Sequence, residues 1–154
     1  MVLASSPVES LALDCVTVKY DDGTDVSLER IVEQLPKVKS IDLYCPPATS
    51  MITSETMKEL CKISHFATLD YFTLWNIPEA FNIDSFSSYM KKNKVTSIKL
   101  HFCDTISEGY KGRLEAIVDE VIEAETREYK TPRINFSGLD KEKYRKLIDL
   151  SLQQ

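Results

Sequence analysis

The chain is poor in glycine and in long apolar runs. Only four glycines occur in 154 residues, and they form no loop of the kind that cradles phosphate groups. No stretch approaches the roughly 18 apolar residues that a membrane-spanning helix needs. The first residues also lack the basic and apolar segments of a secretory signal. We therefore expect no nucleotide-binding loop and no insertion into a membrane.

Cysteine is scarce and unpatterned. The four cysteines stand at positions 15, 45, 61 and 103, without a Cys-x-x-Cys pair and without histidines at zinc-ligand spacing. A chain of this length can bury a sizeable core without disulfides. We therefore expect reduced thiols, no metal ion and no cofactor, and a cytoplasmic or nuclear location.

Positive charge is in deficit. The 19 Lys and Arg residues against 24 Asp and Glu residues give a formal net charge of -5 and a pI near 5.1. General nucleic-acid binding requires a concentrated surplus of basic side chains, so we do not expect it here. The length is close to that of one domain, and no linker rich in Pro, Gly or Ser divides the chain, so residues 1–154 are predicted to form a single domain.

An apolar triplet with the spacing apolar-x-x-apolar-x-apolar recurs along the chain, and each copy precedes a segment with helical periodicity. The last two members of each triplet alternate as in a half-buried strand. The triplets are Leu13, Val16 and Val18; Val38, Ile41 and Leu43; Leu69, Phe72 and Leu74; Val95, Ile98 and Leu100; and a degenerate Thr131, Ile134 and Phe136.

The intervening segments carry apolar residues at helical spacing. Thr53 or Ser54 is predicted to cap the second of these helices, and Thr105 with Glu108 is predicted to form a capping box. One helix is predicted after Asn82 and the last from Asp140. The predicted helix faces are Leu28, Ile31, Val32 and Leu35; Met57, Leu60 and Cys61; Ile83, Phe86, Tyr89 and Met90; Tyr110, Leu114, Ile117, Val118 and Val121; and Tyr144, Leu147 and Ile148.

Alternating strands and helices predict an α/β fold with a largely parallel sheet. The triplets recur at irregular, leucine-rich-repeat-like intervals, with the first strand near residue 13 and the last helix near residues 140–152. The competing architecture is a doubly wound sheet, whose strands are apolar on both faces. These strands are polar at alternate positions, which favours helices on one face and an open opposite face.

Four segments together resemble a known domain family. They are residues 75–81 (WNIPEAF), 89–93 (YMKKN), 97–100 (SIKL) and 129–144 (YKTPRINFSGLDKEKY). In this order they resemble the FTH domain of nematode F-box proteins, and the resemblance covers about the last two thirds of the chain. It implies a protein-interaction module of the substrate-recognition type, as in ubiquitin-ligase adaptors. Too few residues precede the first predicted strand for a helical F-box, so this is either an excised domain or a version that lacks the adaptor-binding part. In both cases we expect no F-box segment that contacts a ligase scaffold.

The strand alternation predicts which side chains lie on the open face. Large amphipathic residues dominate the energetics of interfaces, so we expect a protein partner of unknown identity to contact Tyr44, Tyr71, Trp75, Lys99 and His101. Trp75 could instead pack under the loop at Ile77 and Pro78, and Tyr71 could plug an end of the sheet. The full predicted band is Thr17, Lys19, Ser40, Asp42, Tyr44, Tyr71, Thr73, Trp75, Ser97, Lys99, His101, Arg133 and Asn135.

Two other function classes stay open. His101, Cys103 and Asp104 group a base, a thiol and an acid, which is the inventory of a small cysteine-dependent enzyme. No glycine-rich turn accompanies Cys103 to supply oxyanion donors, so a non-catalytic domain is favoured. The other class is a structural module in which an uncapped end of the repeats pairs with a second copy.

Overall fold

Strands and helices alternate along the chain in the computed structural model, which describes residues 7–154. The strands are β1 (Ser10–Asp14), β2 (Ser40–Tyr44), β3 (Tyr71–Ile77), β4 (Ser97–Phe102) and β5 (Arg133–Asn135). The helices are α1 (Leu28–Glu33), α2 (Thr56–Leu60), α3 (Ile83–Met90), α4 (Glu108–Glu123) and α5 (Lys141–Leu152), with a 3-10 helix at Ser64–Thr68. The predicted α/β class is confirmed.

The five strands form one parallel sheet in the order β1-β2-β3-β4-β5. Ser10, Ser40, Tyr71 and Ser97 stand at the same level of the sheet, and they are 30, 31 and 26 residues apart. Right-handed crossovers that always step in the same direction carry every connection over the same face. The repeat character stays a prediction, because similar spacing alone does not establish it.

One face of the sheet holds the core. Seven of its side chains are at most 2% exposed, and they are Ile41, Leu43, Phe72, Leu74, Ile98, Leu100 and Ile134. Phe102 on the same face is 6% exposed, and Leu11 and Leu13 of β1 are partly buried. The residues between them on the strands are at least partly exposed. This alternation fits a sheet covered by helices on one face, and it does not fit the doubly wound alternative.

The first strand lies earlier than its triplet predicts. Val16 and Val18 are exposed and follow the strand, whereas Leu11 and Leu13 stand beside Ile41 and Leu43 in the register. Two overlapping triplets have the same spacing here, because residues 8, 11 and 13 match the pattern as well as residues 13, 16 and 18. Cys15 adopts a positive φ of 55°, which ends the strand before Val16.

Two helices start where the sequence predicts, after Asn82 and at Asp140. The predicted cap of α2 by Thr53 or Ser54 is wrong, because the N-cap is Glu55. The Asn82 carboxamide and the Asp140 carboxylate each accept hydrogen bonds from two backbone N–H groups of the helix that follows. The predicted Thr105–Glu108 capping box is wrong, because Ser107 is the N-cap of α4 and its hydroxyl accepts from a backbone N–H. Glu108 is therefore the first residue of the helix and cannot reach back as an N3 side chain would.

The two edges of the sheet differ. Helix α5 runs beside β5, where the Arg133 Nε donates to the Ser151 hydroxyl at 2.9 Å. The Gln154 side chain then accepts from the Thr131 N–H and donates to the Tyr129 carbonyl. No strand within residues 7–154 pairs with the outer edge of β1. An unpaired edge keeps free backbone groups available for another strand.

A buried amide anchors the connection from α3 to β4. Asn93 is only 6% exposed. Its side-chain amide donates to the Thr96 carbonyl at 2.7 Å and accepts from the Thr96 N–H at 2.9 Å. The Asn93 carbonyl accepts from the Lys130 N–H at 2.8 Å. One residue thus links the start of β4 to the segment that leads into β5.

Replacing Asn93 by Ala is expected to lower the free energy of unfolding by about 1–3 kcal/mol, because buried backbone groups of Thr96 lose their partners. Urea denaturation followed by circular dichroism measures the change. Lys94→Ala, at the exposed neighbouring position, is the matched control and should unfold like the wild type. Equal midpoints for the Asn93 variant and the control would contradict this account.

Candidate functional site

The sheet has an open face formed by the strand side chains that point away from the core. All of them are at least partly exposed, and they are Ser10, Ala12, Asp14, Ser40, Asp42, Tyr44, Tyr71, Thr73, Trp75, Ser97, Lys99, His101, Arg133 and Asn135. The predicted members Thr17 and Lys19 are wrong, because both follow β1. The five predicted contact residues all lie on the open face.

Three aromatic residues are prominent on the open face. Tyr71 is 58% exposed, Tyr44 is 40% exposed and Trp75 is 36% exposed. Tyr44 and Trp75 stand side by side in the register of β2 and β3, and Tyr71 stands beside Ser40. Trp75 therefore lies on the sheet and not beneath the loop that follows it. A shallow hollow of about 320 Å³ adjoins Tyr44 and Trp75 on the β1 side.

The indole of Trp75 is held in one orientation by two contacts. Its Nε1 donates to the Asp42 Oδ1 at 3.1 Å. Its ring is stacked on the His101 ring, with the centroids 4.0 Å apart and the planes 10° from parallel. The other side of His101 meets the Tyr144 ring of α5 edge-on, at 6.5 Å between centroids. Three strands and one helix thus fix the position of a single exposed tryptophan.

A β-bulge lies directly after Trp75. The register of β3 against β4 shifts between Leu74 and Ile77, which leaves one extra residue in β3. Asn76 adopts a positive φ of 56°, a conformation that Asn tolerates better than most residues. Its amide donates to the Cys45 carbonyl at 2.9 Å. Bulges re-aim neighbouring side chains, and this one adjoins the stacked pair of Trp75 and His101.

Burial and a neighbouring positive charge favour the neutral form of the His101 imidazole. Burial lowers the pKa of His101 from its ordinary value of 6.5, and the nearby positive charge of Lys99 lowers it further. A neutral imidazole stacks on the indole without the cost of desolvating a charge. Tyr144 is the titratable group that faces His101 from α5.

The thiol and the imidazole of the enzyme alternative have different partners. The Cys103 Sγ lies 3.3 Å from the Thr105 hydroxyl, whereas the His101 ring contacts Trp75 and Tyr144. No hydrogen bond joins Cys103 to His101 in the described part of the chain. Within residues 7–154 there is also no group of three or more His, Cys, Asp or Glu side chains that could hold a metal ion, and no helix has the length and apolar content to cross a membrane.

A larger hollow of about 650 Å³ lies elsewhere, between the starts of α3 and α4. Helix N-termini attract anions, but here the protein supplies its own. The Glu79 carboxylate accepts from the Ser107 N–H at 3.0 Å and from the Ser107 hydroxyl. The Asp84 carboxylate pairs with the Arg113 guanidinium at 2.7 Å. The open face is therefore the stronger candidate for a binding site.

Comparison of the chain with protein-family models, with curated proteins and with solved structures found no match. The resemblance to the FTH domain therefore stays a prediction. The assignment of a role to the open face depends on its geometry and on its side-chain chemistry.

The His101 imidazole is expected to titrate below pH 6.5, and Lys99→Met is expected to raise its midpoint part of the way back, because one of the two causes of the shift is removed. The folded protein disfavours the charged imidazole, so the unfolded state binds the proton more readily. The free energy of unfolding should therefore fall as the pH drops through 6.5 towards the lowered pKa. Proton NMR measures the midpoint, and His101→Gln identifies the signal among the two histidines. Lys37→Met, at an exposed position off the open face, is the control. An unchanged midpoint in Lys99→Met would refute the role of Lys99.

Proposed function

We propose that this chain is a non-catalytic protein-interaction domain that binds a protein partner on its open face. The observation that carries the proposal is the exposure of Tyr44, Tyr71 and Trp75 on two adjacent strands of one sheet. Exposed aromatic groups on a rigid surface are the residue type that anchors protein interfaces. A parallel sheet with one uncovered face offers such residues on a fixed scaffold.

The fixed orientation of Trp75 supports this role. Binding normally costs conformational entropy when a side chain is immobilised at an interface. The hydrogen bond to Asp42 and the stacking on His101 already restrict the indole in the free protein. Trp75 can therefore bury apolar surface against a partner with little further loss of freedom. Tyr71, which is more exposed, lies four residues before Trp75 on β3 and adds aromatic contact area to the same face.

The resemblance to the FTH domain supports a narrower form of the proposal. It implies a substrate-recognition module of the type found in F-box ubiquitin-ligase adaptors, working in the cytoplasm or the nucleus. All four cysteines are free thiols, which agrees with a reducing compartment. They are Cys15, Cys45, Cys61 and Cys103. Under this proposal the open face selects the protein partner.

The double variant Tyr71→Ala, Trp75→Ala is expected to lose partners that the wild type captures from a nematode extract. Affinity of a recovered, purified partner should fall by about tenfold or more, because two interface anchors are removed. Tyr20→Ala is the matched control, since Tyr20 lies off the open face and its exposure of 50% falls between those of Tyr71 and Trp75. Circular dichroism must show all variants folded.

Capture of the same proteins by the double variant and the wild type would place the contact on the helices or loops. Unfolding of Trp75→Ala alone would show that the indole serves stability, and Tyr71→Ala would then be the decisive variant.

A second candidate function is self-association through β1. The Cys15 N–H donates to the Tyr44 carbonyl, and the Glu9 carbonyl accepts from the Ser40 N–H. Backbone groups alternate in direction along a strand, so those of the even-numbered residues 10, 12 and 14 point away from β2. An antiparallel pairing centred on Ala12 would place Leu11 of one copy beside Leu13 of the other. Val16 and Val18, which come after β1 in the chain, are also exposed.

If β1 pairs with a second copy, light scattering should give twice the mass of 17.6 kDa. Ala12→Pro should then restore the monomer, because proline removes a backbone donor from the pairing edge. Ala12→Ser keeps that donor and is the control. A monomeric wild type at high protein concentration would dismiss this candidate.

A further inference from the structure

Two positive side chains stand next to each other at the β5 end of the open face. Lys99 of β4 and Arg133 of β5 are direct register partners, and their side chains point to the same face because paired residues of neighbouring strands do so. Both are partly exposed. Neither belongs to any ion pair with an Asp or Glu side chain within residues 7–154.

The guanidinium of Arg133 is held in place. Its Nε donates to the Ser151 hydroxyl at 2.9 Å, and that hydroxyl donates to the Ile148 carbonyl at 2.6 Å. The terminal nitrogens of Arg133 form no hydrogen bond in the described part of the chain. An arginine whose Nε is occupied still offers the pair of terminal N–H groups that binds a carboxylate in two-point geometry. Arg133 is therefore oriented for an anion without being bound to one.

The like-charged pair of Lys99 and Arg133 carries an electrostatic cost. Like charges directly opposite one another on neighbouring strands are destabilising. Acidic side chains are in excess over the whole chain, and Lys143 of α5 pairs with both Glu115 and Asp119. Lys99 and Arg133 have no such relief. The acidic residues of the open face lie on the other side, at Asp14 and Asp42 on β1 and β2.

The open face is thus polarised, with aromatic groups at its centre. Trp75 is stacked on His101. His101 lies two residues after Lys99 on β4. Thr73, between Tyr71 and Trp75, is the register partner of Lys99. A ligand bound to both cations therefore lies next to the part of β3 that carries Tyr71 and Trp75.

We propose that Lys99 and Arg133 bind a carboxylate side chain of an acidic segment in the protein partner, while Tyr71 and Trp75 pack against an apolar residue beside it. This inference depends on the proposed function, since it names the kind of partner that the open face selects. Two cations in a chain of net charge -5 suit a carboxylate better than the extended phosphate backbone of a nucleic acid, which needs many more basic contacts.

A selection from random peptides displayed on phage tests the proposal. The wild type should enrich peptides that contain Asp or Glu next to an aromatic or aliphatic residue. The charge-reversed variant Lys99→Glu, Arg133→Glu should lose those peptides and enrich Lys or Arg instead. Lys37→Glu, Lys94→Glu is the matched control, because both lysines are exposed off the open face. It carries the same change of charge and should select like the wild type.

A selected peptide, made synthetically, gives the quantitative readout. Replacing its acidic residue by the neutral amide should weaken binding by about tenfold or more, because a charge-assisted pair becomes a neutral one. Added salt should weaken the acidic peptide more than the amide peptide. The NMR signal of His101 should also shift as the peptide binds, since the ligand carboxylate offsets the charge of Lys99.

The outcomes separate this inference from the proposed function. Peptides that require Tyr71 and Trp75 but show no acidic preference, and that survive charge reversal, overturn the inference and leave the open face as a binding site. Peptides indifferent to the Tyr71→Ala, Trp75→Ala variant, or no selected peptide at all, overturn both. Binding of a single-stranded RNA pool that is lost on charge reversal, without acidic peptides, overturns the inference in favour of a nucleic-acid ligand.

Discussion

Each strand of the sheet lies beside the next strand in the chain, and the order always advances towards the same edge. With right-handed crossovers, this order places all the connections on one face. The helices that connect the strands, α1 to α4, can cover only that face. The strand side chains that point towards them form the core, from Ile41 of β2 to Ile134 of β5. The side chains that point the other way have nothing in the connections to cover them. The open face therefore follows from the order of the strands, and its composition is what distinguishes this protein.

The open face does not consist only of small polar residues, as we would expect of a surface without a binding role. Fully burying a large aromatic side chain is worth about 1.5–3 kcal/mol, and three such side chains keep much of their area in water on β2 and β3. The Trp75 indole also donates a hydrogen bond to Asp42 of the neighbouring strand and stacks on the His101 ring. Contacts within a face hold its groups still without hiding them, and such groups are suited to binding.

The sequence predicted the elements whose patterns are unambiguous. The faces of α1, α3 and α4 and the strands β2 to β4 follow from periodicity, so Tyr44, Tyr71, Trp75, Lys99 and His101 could be assigned to one face. Periodicity could not locate β1, because two overlapping triplets have the same spacing and only the backbone turn at Cys15 distinguishes them. Nor could it find the bulge at Asn76 or the contact of Tyr144 with His101, since both depend on residues distant in sequence.

The contrast between the two sheet edges bears on how the open face works. At β5, the edge is covered by α5, whose Tyr144 and Ser151 contact His101 and Arg133 on the open face. The last helix thus serves two purposes, because it shields a strand edge and orients two of the side chains proposed to meet a ligand. At β1, no described element does either. A surface that is ordered at its cationic end and uncovered at its acidic end can hold a partner firmly at the first and leave the second available for further contacts.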